Sequence, residues 1–188
     1  MDDKTQLYIT TARTLHQLVR DENFDDILSV LDKLTIQKGM LLKVKLAENN
    51  GMGSTSTLYA TDGNKVIDYE YLKYIMVDQS SMGAWQVYLL LTLHSQLPVF
   101  WHGGYAKRKF IFEVSDYPSY PHDIPLFDNL QPIITFDNNI AHIQCCEWSN
   151  WGGLYRTNIF ITFADGKFVS WEDEEPENLY EYDCGIMF

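Results

Sequence analysis

The sequence contains neither G-x-G-x-x-G nor G-x-x-x-x-G-K-[ST], which excludes the familiar loops that cradle nucleotide phosphates with backbone amides. It has no G-x-S-x-G elbow to carry a serine nucleophile, and no H-E-x-x-H or H-x-H pair. The corresponding hydrolases therefore lack their signatures here. The five histidines, at 16, 94, 102, 122 and 142, each stand without a partner at ligand spacing. Cysteine is scarce. Cys145, Cys146 and Cys184 are odd in number and two are adjacent, so we expect no disulfide framework and a reducing compartment. A metal site would have to join His142, Cys146 and perhaps Cys184 across spacings that match no paired-ligand motif, and we expect no metal and no cofactor.

Long apolar runs are missing as well. The most apolar stretch, WQVYLLLTL at 85–93, is too short to cross a bilayer, and MDDKTQLYITTARTL lacks the basic and apolar regions of a signal peptide; a cytoplasmic protein is the expectation. Positive charge is in short supply, with 14 Lys and Arg against 26 Asp and Glu, a formal charge of −12. Such a balance repels nucleic acid and anionic lipid surfaces and suits a basic protein partner. The sequence carries no signal for an oligomeric state.

Hydrophobic residues make up 46% of the 188 and aromatic residues 14%, enough to build a core in a single domain spanning residues 1–188. Leu7, Leu15, Leu18 and Val19, and then Phe24, Ile27, Leu28, Leu31 and Leu34, recur at three- and four-residue steps. They predict an N-terminal helical hairpin over 3–36, with Asp21 or Asn23 capping its second helix and Gly39 ending it. From residue 40 the pattern turns to strands, with Asp62-Gly63 as a hairpin signal and NNGMGS as a loop. In GAWQVYLLLTLHSQLP the alternation of Trp85, Val87, Leu89, Leu91 and Leu93 fits a strand, while capping by Asp78 or Ser80 and the stop at Pro98 fit a buried central helix, which we favour. Residues 115–132 carry four of the six prolines and read as a long surface loop. The remainder reads as an antiparallel meander, so the fold class expected is α+β, the helices packing on a mainly antiparallel sheet of roughly seven to nine strands.

In CCEWSNWGGLYR, at 145–156, the side-chain alternation of a strand sends Cys145 and Cys146 to opposite faces. A two-residue turn at Asp165-Gly166 would set Phe163 against Phe168, Phe160 against Trp171 and Arg156 against Glu175. A turn at SNWGG would set Trp148 against Leu154, Cys146 against Arg156, Gln144 against Asn158 and His142 against Phe160. One face, Tyr155, Thr157, Ile159, Ile161 and Phe163, is then the core face. The other gathers His142, Gln144, Cys146, Arg156, Asn158 and Trp171, while Glu147 falls on the buried face, where a carboxylate must be paired, neutral or part of a site.

Two functions follow as expectations. The first is a non-catalytic protein-binding module whose aromatic and acidic surface engages a basic partner. Trp148, Trp151 and Arg156 with Trp171, the second group Trp101, His102 and Tyr105, and the acidic run EDEEPE would form that surface. In its acidic, compact, motif-poor profile the chain resembles bacterial immunity proteins in a general way. The alternative is a small-molecule-binding protein or hydrolase-like enzyme with a pocket on the polar face, where His142 with Glu147 or Asp173 would move protons and Arg156 would hold an anion beside Asn158.

Overall fold

A computed structural model of the chain describes residues 2–47, 56–97 and 107–185. Helix α1 (Asp3–Arg20) begins where the Asp2 carboxylate accepts the Thr5 amide at 2.7 Å, which satisfies one of the helix's free N–H groups. Its buried stripe is Tyr8, Ala12, Leu15 and Val19, with Ile9 beside it, whereas Leu7 faces water. The second half of the expected helical hairpin is much shorter than its apolar spacing implies: a 3-10 turn at Phe24–Asp26 runs into a single turn, α2 (Ile27–Val30), and neither Asp21 nor Asn23 caps it by its side chain. Leu34–Ile36 leaves the helical path as strand β1, because it pairs with a strand some forty residues onward. Gly39 then turns the chain into β2 (Leu41–Lys45).

Strands β3 (Thr57–Thr61) and β4 (Val66–Asp68) follow. Thr61 pairs with Val66, so Asp62-Gly63 opens a four-residue loop rather than a two-residue turn. The Asp62 carboxylate stabilises that loop by accepting the amides of Asn64 and Lys65. After β5 (Ile75–Val77) comes the central helix α3 (Ser81–Thr92), capped by Ser80, whose hydroxyl accepts the Gly83 amide at 3.1 Å. Every residue from Gly83 to Leu90 is buried. A helix that is apolar all round belongs in the middle of a core, and α3 lies there with α1 on one side and the sheet on another. Its polar groups are all engaged: Trp85 Nε1 donates to the Tyr8 carbonyl at 3.0 Å, and the Gln86 amide bridges the Lys33 N–H and the Asp32 carboxylate.

The remaining strands are β6 (Lys109–Ile111), β7 (Ile133–Asp137), β8 (Ile140–Ser149), β9 (Gly153–Ala164), β10 (Lys167–Asp173) and β11 (Glu177–Glu181). All pairings among the described residues are antiparallel. The single sheet expected from the sequence is divided into a two-stranded ribbon β1–β5, a three-stranded sheet β2–β3–β4 and a six-stranded sheet. In the largest, the long strands β8 and β9 form the middle. One flank of β9 is shared by β10 and β11, and one flank of β8 by β7 and β6.

Gly153 pins the end of this sheet. It has φ +94°, and a Cβ there would sit 1.9 Å from the Tyr180 carbonyl oxygen of β11. The Gly153→Ala variant is expected to lose about 2 kcal/mol or more, from left-handed strain and displacement of β11 together. Urea unfolding measures this, and an unchanged midpoint would contradict the close approach.

Candidate functional site

The β8–β9 hairpin takes the register expected from its sequence: Trp148 pairs with Leu154, Cys146 with Arg156, Gln144 with Asn158 and His142 with Phe160. Both residues of the Asp165-Gly166 turn have positive φ, and Phe168 pairs with Phe163. A bulge at Val169 then moves β10 on by one residue, so that Trp171 pairs with Ile161 and Asp173 with Ile159. One extra residue reverses side-chain parity. Neither Trp171 nor Asp173 therefore joins the face that carries His142.

On the inner face Thr157, Ile159, Ile161 and Phe163 are buried against the core that holds α3. Cys145 lies there too, its thiol 3.3 Å from the Thr157 hydroxyl and pushed well up by burial. Glu147, at 2% exposure, is in the same layer. Its carboxylate accepts the Tyr88 hydroxyl at 3.2 Å and meets the Arg108 guanidinium at 3.2 Å. Arg108 is itself half exposed. Burial raises the Glu147 carboxyl above its ordinary range, and Arg108 and Tyr88 offset part of that rise. Arg108 thus reaches inward to neutralise a buried carboxylate, although in sequence it belongs to the basic run Lys107-Arg108-Lys109.

The outer face has two halves. On the upper half, His142 stacks on Phe160 with ring centroids 4.7 Å apart, and His142 Nε2 and Gln144 Nε2 both lie 3.1 Å from Asn158 Oδ1. These side chains are half-buried, converge on the single acceptor Asn158 Oδ1, and line none of the described cavities. Glu147 is on the opposite face of the sheet. The acid–base set of the enzyme alternative, His142 with Glu147 or Asp173, is therefore not brought together.

On the lower half the expected polar face is covered. The proline-rich loop crosses it as a strap, and Tyr117, Ile124, Phe127 and Leu130 pack with Ile111, Cys146, Trp148 and Leu154 into a second hydrophobic cluster. Trp148 is only 4% exposed; its ring lies 5.3 Å from Tyr182 and 6.3 Å from Tyr180, and Nε1 donates to Asn150 Oδ1 at 3.0 Å. It shapes a surface from beneath rather than meeting a partner itself. Trp151 is half-buried in the three-residue turn between β8 and β9. Arg156 pairs with Glu177 at 2.8 Å, not with Glu175, because β11 and not β10 lies beside it. Trp101, His102 and Tyr105 lie outside the described residues, as does Pro98.

Over this second cluster the surface is aromatic and acidic. Tyr120 is 65% exposed and packs edge-on against Tyr182 and His122, and the Tyr180 hydroxyl donates to Asp123 at 2.8 Å. The sequence signal missed was Tyr120, Tyr180 and Tyr182, whose alternation in LYEYD places both C-terminal tyrosines on one face of β11. Trp171, 43% exposed, stands on β10 just before the acidic run. Among the described residues no three His, Cys, Asp or Glu side chains converge as metal ligands would, and no helix is long and apolar enough to span a membrane. The chain matches no protein family, no curated protein and no solved structure.

The buried carboxylate makes a pH prediction. A carboxyl whose folded pKa is raised adds stability while protonated, below its ordinary pKa, and loses that contribution as pH climbs through the raised value. The Glu147→Gln variant, neutral at every pH, should therefore gain stability relative to the native protein between acid and neutral pH. Denaturant unfolding across that range checks this, and a stability difference independent of pH would contradict it.

Proposed function

We propose that the chain is a cytoplasmic, non-catalytic binding protein that engages a basic protein partner through the acidic ribbon of β10 and β11, which follow one another along one flank of β9, and the aromatic side chains beside it. Its general profile resembles that of bacterial immunity proteins, and neutralising a cationic partner is the role we assign to it. The observation that carries the proposal is the charge of the ribbon. Glu172, Asp173, Glu174, Glu175, Glu177, Glu181 and Asp183 fall within fifteen residues, and residues 168–185 include no Lys or Arg. Among the described residues the cation paired with them is Arg156, which meets Glu177 alone. The run from Trp171 to Asn178 is exposed throughout.

Such a strand edge repels a second copy of itself, which guards against self-association, yet it attracts a cationic segment. Tyr120, Tyr180 and Tyr182 on the outer face, and the exposed Trp171 on the other side of the β10 edge, add the large, stiff contact groups that dominate binding energy. Trp148 and the strap hold the ribbon's lower part in place before any partner arrives, which lowers the entropy lost on binding. The formal charge of −12 speeds encounter with a basic protein and disfavours nucleic acid.

The test is capture from a lysate of the source organism, identification of the bound protein, and kinetics with that protein purified. A basic partner is expected, with an association rate that falls about tenfold from low to physiological salt. Glu174→Gln with Glu175→Gln and Glu181→Gln should slow association in the same way. A partner whose on-rate ignores both salt and these changes would contradict the electrostatic basis of the proposal.

A further inference from the structure

Away from the acidic ribbon, positive charge is concentrated in a cleft of about 270 Å³ between α1, the 3-10 turn that follows α3, and β6. Arg13, His16, Gln17 and Arg20 line it from α1. Their spacing of three, four and seven residues makes one helical stripe, adjacent to the buried stripe of the same helix. Gln96 closes one end, Lys109 faces the stripe from β6, and the buried Phe110 and Phe112 form an apolar floor.

The charges in the cleft are not all compensated. Arg13 is fixed by Glu113 at 2.6 Å and by both carboxylate oxygens of Asp116 at 3.0 Å, and it sits over the Phe112 ring. Asp116 also accepts the amides of Phe112 and Glu113, so its carboxylate is committed to Arg13 and to the backbone. Among the described residues Lys109 donates only to the Asp116 carbonyl, at 2.6 Å. Arg20 has no hydrogen bond or ion pair among the described residues. His16 uses Nδ1 on Gln96 at 3.2 Å, and its Nε2 has no such partner. The dipole of α1 suits a cation in its last turn, but it does not explain why a lysine from another element faces the same space.

We propose that this cleft binds a small oxyanion, with Arg20 and Lys109 as charge partners and the Gln96 Nε2 amide, oriented by His16 through its other atom, as a hydrogen-bond donor. Its size, just below that of sites for drug-sized ligands, fits a phosphate monoester or a short dicarboxylate. Guanidinium and ammonium groups recognise either anion by charge-assisted hydrogen bonds. In a protein whose overall field repels anions, a small anion gains favourable contacts only where such groups are gathered. The site is separate from the ribbon proposed for the protein partner, and neither depends on the other.

Calorimetric titration of the full chain at low ionic strength, with phenyl phosphate in one arm and succinate in the other, tests it. Saturable one-to-one binding of at least one probe is expected, and the better one names the anion class. Arg20→Gln with Lys109→Gln should weaken it about tenfold or more. Lys65→Gln with Lys167→Gln removes the same two charges elsewhere on the surface and should leave it unchanged. All four side chains are exposed, and circular dichroism confirms that both double variants fold. Absence of saturable heat from either probe up to about 10 mM, or equal weakening by the two double variants, would overturn the proposal.

Discussion

The pairing of β8 with β9, unbroken over ten residue pairs from Ile140–Thr162 to Ser149–Gly153, is the constraint on which the rest of the molecule depends. Because side chains alternate along each strand, this one hairpin supplies walls to two separate hydrophobic clusters. Its inner face closes the main core around α3, and the lower half of its outer face closes the second cluster beneath the strap. Adjacent residues Cys145 and Cys146 illustrate the division, one in each cluster and both buried. Their adjacency reflects a strand buried on both sides, not redox chemistry; burial raises both thiols and disfavours the reactive thiolate.

The two faces carry different electrostatics. Inside, the Glu147 carboxylate is tolerated because Tyr88 and Arg108 satisfy it. Outside, the ribbon at the far flank of β9 accumulates carboxylates with little compensation, while Arg13, Arg20 and Lys109 gather in the cleft of α1 and β6. The cationic partner and the small anion proposed above therefore call on separate surfaces.

Much of this was legible from local chemistry. SNWGG specifies the register of the β8–β9 hairpin and Asp165-Gly166 the first pair of the next one, alternation along β9 specifies its core face, and Ser80 marks the start of α3. Legibility failed where a distant contact decided the outcome. The apolar spacing of Phe24 to Leu34 fits a helix, yet Leu34–Ile36 pairs with β5, a partner that no local pattern reveals. The bulge at Val169 has no composition signal and reverses the faces of Trp171 and Asp173. The strap over Cys146 and Trp148 is irregular backbone without periodicity, so residues assigned to an open polar face are buried beneath it. The cationic cleft exists only because Lys109 meets the α1 stripe in three dimensions. By contrast, the acidic run is exposed much as its composition suggests, since clustered like charges stay in water.

Trp148 and its cluster hold β11 against β9 as a unit distinct from the main core. Native-state hydrogen exchange, compared between the native protein and Trp148→Ala, tests it most directly. The prediction is strong protection of the β8, β9 and β11 amides in the native protein, and selective loss at Glu177–Glu181 in the variant while the upper β8–β9 pairs, Ile140 to Gln144 with Asn158 to Thr162, stay protected. Unprotected β11 amides in the native protein, or loss of the upper β8–β9 protection in step with β11, would contradict it.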